Sequence, residues 1–147
     1  MPPDCDGNSD GNSKPRASTT YGKRLAEYQG RIRQTGWVGA GLAILITLIG
    51  ADLSAKTIAD DAPKYFPGIV ISLALCAGLA LAWALSGFEL ARSTLMRHME
   101  KHGHHEKVAL PCCVSQWPTW PEWMYGLSFV LTIATGVAFL VEIWLAA

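Results

Sequence analysis

Three stretches of this chain, residues 36–51, 66–88 and 123–141, contain no Lys, Arg, Asp or Glu. That absence excludes the amphipathic helices of a soluble α-domain, which keep a charged face toward water. At about 1.5 Å of rise per residue, roughly 20 apolar residues cross a hydrocarbon core of about 30 Å. The second and third runs reach that length unaided. The first reaches it with Gln34 and Thr35 at one headgroup boundary and with Asp52 and Lys56 snorkelling at the other.

Other absences narrow the function. The cysteines, Cys5, Cys76, Cys112 and Cys113, have none of the spacing of an oxidised extracellular framework, so free thiols or ligands are expected. No short apolar h-region with a small-residue cleavage site precedes the first run, so the first helix is expected to serve as its own insertion signal. There is no phosphate loop, dinucleotide fingerprint or nucleophile–base pair, and no extramembrane domain able to enclose a substrate; an enzyme is not expected. A folded basic domain for nucleic acid is missing too. All four histidines fall between residues 98 and 105, outside the apolar runs, which excludes axial haem ligation at membrane depth.

What is present is a strong asymmetry of charge. Lys14, Arg16, Lys23, Arg24, Arg31 and Arg33 precede the first run, and Arg92, Arg97, Lys101 and Lys107 lie between the second and third. Only Lys56 and Lys64 follow the first run, among Asp52, Asp60 and Asp61. By the positive-inside rule the N-terminus and second connection are cytoplasmic, and the C-terminus is outside. The expected fold is an all-α membrane bundle of three transmembrane helices. With no organelle-targeting segment visible, a bacterial inner membrane is expected.

The expected organisation is a disordered tail at 1–20, a juxtamembrane amphipathic segment at 21–35, and helices at 36–54, 66–89 and 122–147. Residues 90–121 form a helix extension followed by a His/Cys/Trp loop. In the tail, rich in Gly, Asn, Ser and Asp, the residues Asp6, Asn8, Asp10 and Gly11 match the opening of an EF-hand loop. The match ends there, because the twelfth loop position is Ala17 and not Glu. Leu25, Tyr28 and Ile32 recur at helical spacing among Lys23, Arg24, Arg31 and Arg33, as in a stretch lying on the membrane surface before the chain turns inward. Pro67 suits a helix start, Gly103 suits a helix stop, and Pro111, Pro118 and Pro121 interrupt regular structure. Trp117, Trp120 and Trp123 are expected to anchor the third helix at the interface.

Small residues recur every four positions in each run: Gly39, Ala43, Thr47 and Ala51; Gly68, Ser72, Cys76, Ala80 and Ala84; Ser128, Thr132 and Gly136. In lipid, where no hydrophobic force drives helices together, such residues permit close backbone approach. Gly36 with Ala40, or Ala74 with Gly78, forms a second face for a partner.

Two sets of residues could carry chemistry. His98 and His102 share a helix face, and with Cys112 and Cys113 they make a candidate site for zinc or copper. His104 and His105 enlarge a loop able to titrate near neutral pH. Glu142, with Thr135, Thr132 and Ser128 along its helix, makes an intramembrane polar stripe suited to protons or cations. The leading expectation is an accessory or assembly subunit that contacts lipid and packs against other integral membrane proteins. The alternatives are a transporter or pore built from copies of itself, and a metal-handling membrane protein.

Overall fold

The computed structural model describes residues 20–58, 66–110 and 119–147. Three helices account for most of them: α1 (Tyr21–Ile58), α2 (Phe66–His102) and α3 (Thr119–Ala146). Each is long and apolar enough to cross a membrane. They run up, down and up, with α2 packed against both of the others.

α1 differs from the expected surface stretch and turn. It is one continuous helix of 38 residues from Tyr21 onward. Its first turns are held upright because Tyr21, Leu25, Tyr28 and Ile32 pack on Phe88, Leu95 and Met99 of α2, which offers more contact than a headgroup surface. α2 runs past the membrane run to His102, and Gly103 ends it with φ at +63°. The Gly103 N–H donates to the Glu100 carbonyl (3.4 Å) and the His104 N–H to the Met99 carbonyl (3.1 Å), a Schellman closure that only a left-handed residue permits without strain. α3 starts before Pro121, which sits in its first turn, where a missing N–H costs the helix nothing. Pro121 and Trp120 rest on Gly87 of α2: a Cβ there would lie 2.6 Å from each.

Every seventh residue of α1 is buried: Tyr21, Tyr28, Thr35, Leu42 and Ile49. α3 repeats the spacing with Pro121, Ser128 and Thr135. On α2 the buried residues include Val70, Ala74, Ala77, Ala84, Phe88 and Leu95, and the pairs Val70–Ala77, Ala77–Ala84 and Phe88–Leu95 keep the seven-residue step. A seven-residue repeat is the seam of a left-handed helical bundle, in which slight supercoiling keeps one face turned to its neighbour. Three clusters stack along it: the Tyr21–Phe88 group, then Leu42 with Ala74 and Ala77, then Ile49 with Val70 and Phe139. The buried hydroxyls of Thr35, Ser128 and Thr135 each donate to a carbonyl of their own helix at 2.7 Å, so none enters the seam unsatisfied.

Ion pairs tie α1 to α3 at both ends. Arg31 meets Glu122 at 3.0 Å and Lys56 meets Glu142 at 3.2 Å. Residues 123–141 separate the two carboxylates on α3, about 28 Å of helix, close to the thickness of a hydrocarbon core.

Candidate functional site

Continuing the seam of α2 beyond the apolar run leads from Leu95 to His98 and His102. His98 lies about 15 Å of helix past Phe88, clear of the membrane span. The two rings face each other with centroids 4.5 Å apart. Gly103 then turns the chain back so that His104 joins them, 6.0 Å from His98 and 5.9 Å from His102. The fourth member comes from α1. Tyr21 is fully buried, its ring stacked on His98 and His104, and its hydroxyl lies 2.9 Å from His98 Nδ1.

The same turn of α1 is fastened through its backbone. The first N–H groups of a helix lack partners within it. Here Tyr21 N–H donates to the Val108 carbonyl (3.1 Å) and Gly22 N–H to the Glu106 carbonyl (2.8 Å), while the Thr20 hydroxyl accepts from Lys23 N–H (3.4 Å). Gly22 favours this approach, since a Cβ would sit 3.1 Å from that of Glu106 and 3.2 Å from its carbonyl oxygen. Burial holds the His98 imidazole below its ordinary pKa, and the neighbouring His102, His104 and Lys101 push it the same way. A neutral ring at this position can accept the Tyr21 hydroxyl proton at Nδ1.

His98 and His102, expected to act together, are brought together. Cys112 and Cys113 lie outside the described residues, as do the EF-hand-like Asp6–Gly11 segment, Cys5 and Trp117. Among the described residues no three His, Cys, Asp or Glu side chains are arranged to hold a metal ion. His105 is exposed. Tyr21 and His104 were not paired with His98 by sequence spacing. Neither helical periodicity nor charge marks a tyrosine 77 residues away, which meets His98 through the packing of α1 on α2, and His104 reaches them because Gly103 reverses the chain.

At the opposite end Glu142 is not alone. Lys56 bridges it to Asp52, at 3.2 Å and 2.7 Å. Both Lys56 and Glu142 continue the seven-residue seam, one repeat beyond Ile49 and Thr135. Thr135 and Ser128 are buried within the seam and Thr132 is partly buried, donating to the Ser128 carbonyl. The polar stripe expected to suit protons or cations thus has Ser128 and Thr135 buried in the packing inside one chain.

The four-residue stripes divide. Gly39 packs on Leu81, whereas Ala43, Thr47 and Ala51 are exposed. On α2, Ala80 and Ala84 are buried while Gly68, Ser72 and Cys76 are exposed. Gly136 packs loosely on Leu45. A four-residue step advances about 40° around a helix, so such a stripe leaves an interface within two or three turns. Of the second faces, Ala74 is buried and Gly78 meets Leu42, but Gly36 and Ala40 remain exposed. No family model, curated protein or solved structure matches the chain.

Proposed function

We propose that this chain is a small integral membrane accessory subunit, acting by packing against the transmembrane helices of a partner membrane protein. The observation that supports it is a second face on α1. Gly36, Ala40, Ala43, Thr47, Gly50 and Ser54 follow each other at four- and three-residue steps and all are exposed. They lie about a third of a turn from the buried seam. Among the described residues nothing lies within 4 Å of where a Cβ on Gly36 or Gly50 would stand. The hydroxyls of Thr47 and Ser54 donate to the carbonyls of Ala43 and Gly50 at 2.9 Å, so the face presents small groups and no unsatisfied donor. A partner backbone can approach such a surface closely.

In this proposal the basic end, with Arg31, Arg33, Arg97 and Lys101, faces the cytoplasm of a bacterial inner membrane, and the Lys56–Glu142 end faces out. Purification of tagged protein in mild detergent, followed by mass spectrometry of the intact assembly, tests it. A stoichiometric second polypeptide that is lost in Ala43→Leu is the expected result. A lone monomer or an assembly of copies alone would overturn the proposal.

A further inference from the structure

Glu122 stands at the head of a groove as well as at the end of an ion pair. The groove, about 490 Å³, is lined by Glu122, Trp123, Gly126, Leu127 and Val130 of α3. Trp123, Gly126 and Val130 lie about half a turn around the helix from the buried Pro121 and Ser128, so this side faces away from the seam. Trp123 is 77% exposed, and Leu127 and Val130 are exposed below it. Gly126 leaves room between them: among the described residues nothing lies within 4 Å of where its Cβ would stand. From Glu122 to Val130 the helix descends about 12 Å. The groove therefore starts at the charged boundary of the third apolar run and ends inside the hydrocarbon, at the depth of a phospholipid acyl chain.

The charges at its head are of both signs. Glu122 Oε1 lies 3.0 Å from Arg31 Nε, and neither side chain is buried. Arg31 Nη1 donates to Gln34 Oε1 at 3.1 Å, and among the described residues Nη2 keeps its protons for a further acceptor. A carboxylate offers about four acceptor positions, so Glu122 can take another donor besides Arg31. We propose that the groove binds a phospholipid with a primary-amine headgroup, of the phosphatidylethanolamine class. One acyl chain lies along Trp123, Gly126 and Val130, the phosphate accepts from Arg31, and the ammonium donates to Glu122. Phosphate and ammonium, two carbons apart, lie head to tail against the Arg31–Glu122 pair. Phosphatidylglycerol brings the phosphate without the cation and meets Glu122 as a like charge. Phosphatidylcholine brings a cation with no N–H to donate. The groove is on α3 and the face offered to a partner is on α1, so the lipid site stands whether or not α1 recruits one.

Fluorescence quenching of the full chain in vesicles tests the site. Phosphatidylethanolamine, phosphatidylglycerol or phosphatidylcholine, brominated high in the acyl chain, is added at equal mole fraction to unlabelled phosphatidylcholine. The share of quenching due to Trp123 is the difference between the wild-type chain and Trp123→Phe. Brominated phosphatidylethanolamine should associate at Trp123 about threefold more strongly than either competitor, the scale of an exposed ion pair. Glu122→Gln should move the preference to phosphatidylglycerol, because the repelling carboxylate is gone and Arg31 remains. Gly126→Leu, which fills the groove without touching the seam, should abolish the preference at unchanged helicity. Should Glu122→Gln not fold, Gly126→Leu decides alone. Equal quenching by the three lipids, a wild-type preference for phosphatidylglycerol, or a preference that survives Gly126→Leu would each overturn the site. Absence of quenching at Trp123 by all three would do so too, and would put a protein helix in the groove in place of lipid.

Discussion

The two ends of the bundle close the same seven-residue seam with opposite chemistry. At one end Lys56 stands between Asp52 and Glu142, three formal charges whose attractions outnumber their repulsions. At the other, Tyr21 stacks on His98 and His104, and His102 stands beside His98. Carboxylates and ammonium groups ordinarily keep their charges between pH 5 and 8, and imidazole does not. One end is thus held by side chains that are charged across that range, and the other is built around imidazoles. A bundle whose packing depends on close van der Waals contact in the membrane gains its register from such polar ends, because the apolar surfaces between them resemble lipid on every side.

The contrast can be broken at either end separately. The largest effect is expected from Gly22→Leu, which forces side-chain atoms into Glu106 and should cost about 2–3 kcal/mol of stability. Hydrogen exchange should then rise at 99–110 and stay unchanged at 49–56. Lys56→Ala should cost about 1–2 kcal/mol, because it strands Glu142, whose side chain is only 12% exposed, beside Asp52. Thermal unfolding in detergent would show the loss, and Glu142→Ala in the same background should restore part of it. Tyr21→Phe, which keeps the ring and removes the hydroxyl bonded to His98, should cost about 1 kcal/mol.

Acid sharpens the comparison further. The folded-state basicity of His98 is lowered, so its contribution is complete above the unfolded imidazole pKa and diminishes as pH falls below about 6.5. Unfolding temperature should therefore drop between pH 7.5 and 5.5 in the wild-type chain. The drop should shrink in His98→Gln and persist undiminished in Lys56→Ala. Equal pH dependence in the two variants would remove the distinction between the ends.

The spans were legible because hydrocarbon thickness and the absence of charge leave little choice, and the apolar runs fall inside the three observed helices. The packing face was not. These helices are apolar all round, so no amphipathic contrast separates Leu42, buried, from Ile44, exposed. Small residues four apart drew attention to Gly68, Ser72 and Cys76, which face outward, while the seam carried Thr35, Ser128 and Thr135, whose hydroxyls conceal their burial behind bonds to their own helices. His98 and His102 were legible from helical spacing alone. Tyr21 and His104 were not, since both arrive through the fold. The partner of Glu142 was equally hidden, because Lys56 looked like a snorkelling interface residue with no reason to point at α3.

Between residues 35 and 54, α1 divides into an inward seam and an outward face. Leucine substitution at each position from 35 to 54, with folding and co-purification of a second polypeptide read for every variant, tests that division. Folding should fail at Thr35, where a buried site admits no added volume, while Gly36, Ala40, Ala43, Thr47 and Gly50 should lose the partner and keep the fold. Leucine at those five positions leaving a second polypeptide bound, or unfolding the chain as Thr35→Leu does, would contradict it.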